Sequence, residues 1–268
     1  MRPIKIPAQI LKYTTQKNTS QEMCNLASQG YSALYKDSPE VSIVIPAYNE
    51  EENIVATLTS LCTNKTNRSV EIIVVDNNSK DKTQQLAVAC GVKCVFQPVQ
   101  GITVSRNMGL SEARGKYILN ADADSIYPED WIELMVKPLD NDQVALTYGQ
   151  FALVPTAGTG RLTYFFYEYI AEFSRWINKK IKDEAVNVYG FNSGFRREQG
   201  LQVDGFNHPP GTNEDGWLAL KLRNKGFGKL HLVNDIKALV WTTDRRIQLD
   251  GGLVKGTVKR VLRTLSKK

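Results

Sequence analysis

The stretch VSIVIPAYNEEENI, residues 41–54, decides the fold. Its first seven residues are apolar and β-branched with little alternation, the pattern of a strand covered on both faces. Asn49 then offers a helix N-cap, Glu50, Glu51 and Glu52 place acids in a first turn, and Ile54, Leu58 and Leu61 recur at helical spacing. A buried strand that runs directly into a helix is the first half of a βαβ unit.

Toward the C-terminus the unit repeats. Strands are predicted at 70–75, 92–96 and 116–121, and helices at 81–89, 103–113 and 128–136, the last with Pro128 near its first turn. This alternation predicts an α/β fold with a Rossmann-like mixed sheet, mostly parallel and flanked by helices, whose ligand site lies beyond the carboxyl ends of the strands. After Gln150 the pattern loosens. A long aromatic helix is predicted at 161–181, a strand at 188–196, a helix at 214–224 and a late strand at 238–242. Toward the N-terminus, residues 1–37 read as an extension carrying one helix near 21–35. The expected organisation is that extension, a first half at 38–150 that looks like a nucleotide half, a second half of the same domain at 151–252 that looks like an acceptor half, and a basic tail at 253–268.

Composition narrows the function classes. With 42% apolar and 23% charged residues in 268, the chain is an ordinary globular one rather than a disordered one. No apolar run approaches the roughly 18 residues a membrane span needs, and the N-terminus has no signal-peptide pattern. Six of the 34 basic residues fall in the tail, at Lys255, Lys259, Arg260, Arg263, Lys267 and Lys268, leaving the remainder balanced against 28 acids. The positive charge therefore belongs to a tail and not to the fold, which opposes nucleic acid as the partner. No GxGxxG follows a strand, which excludes a dinucleotide oxidoreductase. The acidic PAYNEEE loop opposes a nucleotidyltransferase, which would want a basic, glycine-rich loop for a triphosphate. Cys24, Cys62, Cys90 and Cys94 lack zinc-type pairing and read as buried thiols in a reducing, cytoplasmic setting.

Three polar clusters follow the strands: Pro46-Ala47-Tyr48-Asn49, Asp76-Asn77-Asn78-Ser79 and Asp122-Ala123-Asp124. Together they define a crevice. An acid after the second strand stands where a ribose or base is read by hydrogen bonds. Two carboxylates one residue apart can face one bound cation, and their hard oxygens suit Mg²⁺ or Mn²⁺ with positions left open for diphosphate oxygens. The plainer alternative is that one of Asp122 and Asp124 caps the following helix and the other is solvated.

The segments VSIVIPAYNEEENI, EIIVVDNNSKDKT (71–83) and GITVSRNMGLSEARGKYILNADADS (101–125), in this order and at this spacing, closely resemble the inverting glycosyltransferases of family 2, which have the GT-A fold. The resemblance is dense over 41–125 and continues in patches to Arg246. It implies that Pro46, Ala47, Tyr48 and Glu50 contact the base, that Asp76 hydrogen-bonds it, that Asp122 lies at the ribose, and that Asp124 ligates the metal on the diphosphate. Arg106 stands where the family places an arginine near the nucleotide, the alternative being a helix-surface charge. The segment GFNSGFRREQGLQVDGFN (190–207) is similar to the family's acceptor and sugar pocket, which implies that Asn192, Ser193 and Gly194 line it.

Glu214-Asp215 looks like the family's ED motif, in which one carboxylate is the general base; Asp215 is the first choice and Glu214 the reserve. The competing reading is that both acids complement a helix N-terminus. The implied reaction is one inverting transfer from a nucleotide diphosphate sugar, UDP-sugars being favoured, to a carbohydrate or lipid-linked acceptor hydroxyl, in cell-surface polysaccharide or glycolipid synthesis; the alternative is a nucleotide-sugar-binding relative without turnover, which the presence of Asp76, Asp122, Asp124 and Asp215 together opposes. The stretch Trp241-Thr242-Thr243-Asp244-Arg245-Arg246 does not match the Q/RxxRW motif of processive members, which speaks against a polymerising synthase. Arg245 and Arg246 either close over the diphosphate or form a basic surface turn. His208 and His231 are the only histidines, and nothing selects either as a metal ligand.

In the tail, Val254, Val258, Val261, Leu262 and Leu265 fall at helical spacings opposite Lys and Arg. Such a helix suits an anionic membrane surface, which would make the protein peripheral at the inner face, or it packs on its own domain. The aromatic helix likewise reads either as core or as a lipid or sugar platform.

Overall fold

A computed structural model describes residues 2–14, 21–156, 159–249 and 252–253. The strands are β1 (Val41–Ala47), β2 (Val70–Asp76), β3 (Lys93–Phe96), β4 (Tyr117–Asn120), β5 (Ser125–Ile126), β6 (Val144–Gly149), β7 (Phe151–Val154), β8 (Ser193–Arg196), β9 (Lys229–Val233) and β10 (Val240–Thr243). The helices are α1 (Ala8–Thr14), α2 (Gln21–Leu34), α3 (Ile54–Cys62), α4 (Thr83–Ala89), α5 (Ile102–Glu112), α6 (Trp131–Val136), α7 (Arg161–Ile181), α8 (Arg197–Gln202), α9 (Glu214–Asn224) and α10 (Arg245–Leu249).

Seven strands form one twisted sheet in the order β3-β2-β1-β4-β8-β6-β9. β1, β2, β3 and β4 run parallel, β8 is antiparallel to both β4 and β6, and β9 is parallel to β6. The mixed, mostly parallel sheet is the predicted one. β1 and β2 are covered on both faces: every residue of β2, and all of β1 but half-buried Pro46, is buried. A second, three-stranded sheet, β5-β10-β7, stands beside the first and carries the segment after Asp124 and the approach to Arg245.

The first helix begins later than its sequence suggests. α3 starts at Ile54, while Asn49 adopts φ 53° in the left-handed region that asparagine tolerates. Its side-chain oxygen accepts from Lys80 N at 2.8 Å, and its own N–H donates to Ser79 Oγ at 3.0 Å, so the loops after β1 and β2 are tied together. All nine residues of α3 are buried. The helix lies beneath α2, and the N-terminal extension is thus no loose appendage: Ile10, Met23, Ala27, Tyr31 and Leu34 belong to the same core as β1.

On the other face of the sheet α5 approaches β1 at Gly109, where any side chain would run into Val44. The strand predicted at 188–196 is shorter, because the chain turns ahead of Ser193, Asn192 N donating to Tyr189 O at 3.1 Å, and pairing starts only at Ser193. The residues between wrap over the side chains beneath Asp122. The tail beyond Leu253 lies outside the described residues.

Candidate active site

The carboxyl ends of β1, β2 and β4 open into a cleft of about 400 Å³. Pro46, Ala47, Tyr48 and Glu50 form one wall, Asn77, Gly101, Ile102 and Ser105 another, and Asp122, Asp124 and Arg245 the floor and rim. Most of the residues assigned to nucleotide contact are therefore together. Asp76 is buried just beneath, and its Oδ1 has no hydrogen-bond partner among the described residues. Asn77, which sequence reasoning passed over, staples the far wall: its Nδ2 donates to Val99 O at 2.7 Å and its Oδ1 accepts from Gly101 N at 2.8 Å.

Asp124 sits where β4 hands over to β5. Its Oδ2 is 3.3 Å from Arg245 Nη2, and the same guanidinium also grips Glu50. Glu50 and Asp124 draw the Arg245 guanidinium still further toward its charged form. Arg245 thus spans the cleft between the PAYNE loop and the second aspartate. The side chain of Arg246, the other expected diphosphate contact, lies outside the described residues.

Arg106 is placed differently from the expected nucleotide contact. It is fully buried on α5 behind the cleft and links two acids that are remote in sequence. Nη2 donates to Asp122 Oδ1 at 3.0 Å, and Nε lies 3.5 Å from Asp215 Oδ1. The position of Arg106 follows from α5 packing directly on β1, which leaves its side chain no route to solvent. Asp122 is also held from the backbone, its N–H donating to the Tyr127 hydroxyl at 2.9 Å, which in turn donates to Phe191 O at 3.0 Å.

Asp215 opens α9, whose N-cap is Asn213, with Oδ1 accepting from Gly216 N at 2.8 Å. Burial pushes the Asp215 carboxyl up to about 7; Arg106 opposes the rise, and Glu214 and Asp122 add to it. Its Oδ1 has no hydrogen-bond partner among the described residues. Glu214 is half-buried beside it. Gly190 closes this group from above, and a side chain there would collide with both Arg106 and Asp215.

Asn192, Ser193 and Gly194, expected in an acceptor wall, are absent from the walls of the two cavities at Asp122 and Asp124. Asn192 is buried, accepting from Trp131 Nε1 at 2.9 Å and donating to Gln150 O at 2.8 Å. Ser193 Oγ accepts from Asn120 Nδ2 at 3.1 Å, and Gly194 abuts Leu119. The reason is that β8 lies inside the sheet between β4 and β6, so these residues serve strand packing. The pocket next to Asp122 and Asp124, of about 220 Å³, is walled instead by Phe151, Tyr167, Tyr189 and Phe191. Phe151 meets Tyr189 and Phe191 edge-on, and Tyr189 and Phe191 stack. The motif carrying Gly190 and Phe191 was visible in the sequence; that the residues lining the cavity sit just ahead of Asn192 was not.

No cluster of three or more His, Cys, Asp or Glu side chains among the described residues forms a metal cage. His208 is tied to Thr103 and Thr212 by its ring nitrogens at 3.1 and 3.0 Å. Asp122 and Asp124 nevertheless fit a magnesium-type cation, which binds through one or two carboxylates and completes its shell with water and substrate phosphates. The Arg245–Asp124 pair marks this spot as one that takes a positive charge.

Residues 42–199, more than half of the chain, match the family described as Glycosyl transferase family 2. The chain belongs to glycosyltransferase family 2. Among its relatives, an uncharacterized glycosyltransferase of Haemophilus influenzae is 30% identical over 126 residues, 45% of this chain and 50% of that one. The probable glycosyltransferase YdaM of Bacillus subtilis is 29% identical over 209 residues, 72% and 48% respectively. An uncharacterized glycosyltransferase of Rickettsia conorii matches over 52% of this chain and 23% of its own length. The family 2 chain thus spans about half or less of these relatives.

Solved structures share its GT-A fold. The mannosyltransferase PcManGT of Pyrobaculum calidifontis, in complex with GDP-Man and Mn²⁺, superposes with a TM-score of 0.58 at 18% identity over 95% of this chain and 75% of that one. S. aureus TarS 1-349 in complex with UDP-GlcNAc gives 0.59 at 19% identity over 76% and 58%.

Proposed function

We propose that the protein is a divalent-metal-dependent, inverting glycosyltransferase that moves one sugar from a nucleotide diphosphate donor, with UDP favoured, to an acceptor hydroxyl in cell-surface polysaccharide or glycolipid synthesis. One observation carries the reading. A single buried guanidinium joins Asp122 at the cleft to a second carboxylate, Asp215, whose proton affinity is tuned close to neutrality. Burial raises that carboxyl, and its link through Arg106 to Asp122 at the cleft is what supports a general base, which is most effective near the working pH.

The parts of this chain divide the work. The PAYNE loop and buried Asp76 receive the base, the free Asp76 oxygen being available to its N–H groups. Asp124, with Asp122 beside it, would hold Mg²⁺ or Mn²⁺, which when bound neutralises charge gathering on the diphosphate. Arg245 can follow the diphosphate when Asp124 exchanges its guanidinium for the cation. The acceptor enters the aromatic pocket. Asp215 takes the hydroxyl proton as the acceptor oxygen bonds to the anomeric carbon and the bond from that carbon to the diphosphate breaks; Glu214 is the alternative base. One displacement from the opposite face inverts the centre. GDP-Man and UDP-GlcNAc in the PcManGT and TarS structures support a nucleotide-sugar donor and leave the base open.

Melting the protein with UDP, GDP and dTDP, each with and without Mn²⁺, tests the reading. One nucleoside diphosphate at about 100 times its Kd should add about 3 kcal/mol, a rise on the order of 5 °C, mostly when metal is present. Slow hydrolysis of the matching nucleotide sugar should disappear in Asp124→Ala. No response to any nucleoside diphosphate overturns the proposal.

A further inference from the structure

α7 is an amphipathic helix turned inside out relative to an ordinary surface helix. Its inward face carries the charge. Glu168 is buried, accepts from Leu153 N at 2.7 Å, and pairs with Arg2 and Arg161. Glu172 pairs with Arg2 and Arg175. The outward face is apolar: Phe166, Ile170, Phe173 and Trp176 are 58–67% exposed, with Leu162 before them and Ile181 after. From Leu162 to Trp176 these positions recur every three to four residues and so form one stripe about 21 Å long. Phe173 and Trp176 stack, with ring centroids 5.9 Å apart. A soluble surface does not ordinarily leave a continuous aromatic stripe in water.

We propose that this face of α7 docks on an anionic lipid bilayer, lying in the plane of the headgroups. Charge selects the occupant. The exposed charged residues of α7 are lysines, Lys179 and Lys180, and Lys182 follows. The neighbouring acids are engaged, Asp183 with Arg223 and Glu184 with Lys179, while Lys180 and Lys182 have no ion pair among the described residues. Aromatic and aliphatic side chains beside lysines are the composition of a helix at an anionic interface. A second copy of the face would bring like charges together.

The chain's course agrees. Leu253 packs on the cluster of Leu153, Tyr164 and Ile247 beneath α7, so the remaining 15 residues, with six basic ones, set out from this side of the molecule. No helix among the described residues is long and apolar enough to cross a membrane, so the contact is peripheral. Tyr167, on the same helix, walls the aromatic pocket beside Asp122 and Asp124. Docking would therefore bring that pocket to the bilayer and favour an acceptor carried on a lipid. This last consequence rests on the glycosyl-transfer reading; the docking does not.

Flotation of the full chain with vesicles of phosphatidylcholine alone, or with 30% phosphatidylglycerol, separates the outcomes. The protein should bind the anionic vesicles at least tenfold more tightly. Phe173→Ser with Trp176→Ser, both at exposed positions, should reduce binding at least tenfold, and Lys180→Glu with Lys182→Glu should do so at low salt. All these proteins should keep the melting response to the nucleoside diphosphate, which fails independently if the transferase reading is wrong. Equal binding by both α7 variants and the unaltered chain would assign the contact to the tail. That result, absence of binding to anionic vesicles, or a dimer in light scattering that Phe173→Ser with Trp176→Ser dissociates would each overturn the proposal.

Discussion

Arg106 is the residue on which the most depends. A guanidinium taken wholly out of water is tolerated only against carboxylates, and here it has two. Arg106→Gln strands Asp122 and Asp215 without their cation. We expect a loss of about 3–5 kcal/mol in urea unfolding. We also expect the acid limb of the pH–rate profile to move upward, since the charge that now restrains the Asp215 carboxyl is gone. The unaltered enzyme should gain activity as pH rises through about 7, where Asp215 loses its proton, and then level off. Asp215→Asn should lower kcat by about 10²- to 10⁴-fold while the nucleoside-diphosphate melting shift survives; an unchanged kcat would pass the role to Glu214.

The same carboxyl leaves a mark on stability. Its folded value, about 7, lies above the ordinary value of an aspartate, so the folded chain holds the proton more tightly than the unfolded one. That contribution is complete below the unfolded value and is lost as pH rises through about 7, at most about 4 kcal/mol. Urea midpoints between pH 5 and 8 should therefore fall less in Asp215→Asn than in the unaltered protein.

Among elements, the contact of α5 with β1 sets the site, because it fixes how deep Arg106 sits. Gly109 allows it by leaving room for Val44. Gly109→Ala must push helix and strand apart, and should cost about 1–3 kcal/mol and lower activity together, measured by denaturation and donor hydrolysis. Elements buried on both faces, such as β1 and β2, announce themselves as unbroken apolar runs, whereas β6, equally buried, is interrupted by Thr147 and ends in Gly149 and was not predicted. Nor did β8 announce its true extent: its run from Val188 looks like one strand, yet Gly190 leaves the sheet to cover Arg106 and Asp215, and Tyr189 and Phe191 leave it to wall the aromatic pocket. β9, an edge strand buried only at Leu230 and Val233, shows neither an unbroken apolar run nor a period-two pattern of burial.

For the molecule as a whole, the donor cleft is held shut in charge by Glu50, Arg245 and Asp124. A metal and a diphosphate would replace that arrangement as a unit. Asp124→Ala should thus remove the part of the melting shift that needs Mn²⁺ and leave a smaller metal-independent part, measured in the same nucleotide series. If both parts survive, the cation is held elsewhere.

The order of buried strands, the three polar clusters at their ends and the family likeness are local properties, carried by runs of adjacent side chains, and could be read from the chain alone. Which acid is tuned, and which residues touch a ligand, could not. Arg106, Asp122, Gly190 and Asp215 meet only after α5, β4 and α9 have packed, and burial, the cause of the shifted carboxyl, does not exist before that packing. The apolar outward face of α7 is of the same kind: helical spacing predicts a stripe, but which side of the helix is left facing water depends on what Arg2 and Arg161 claim on the other.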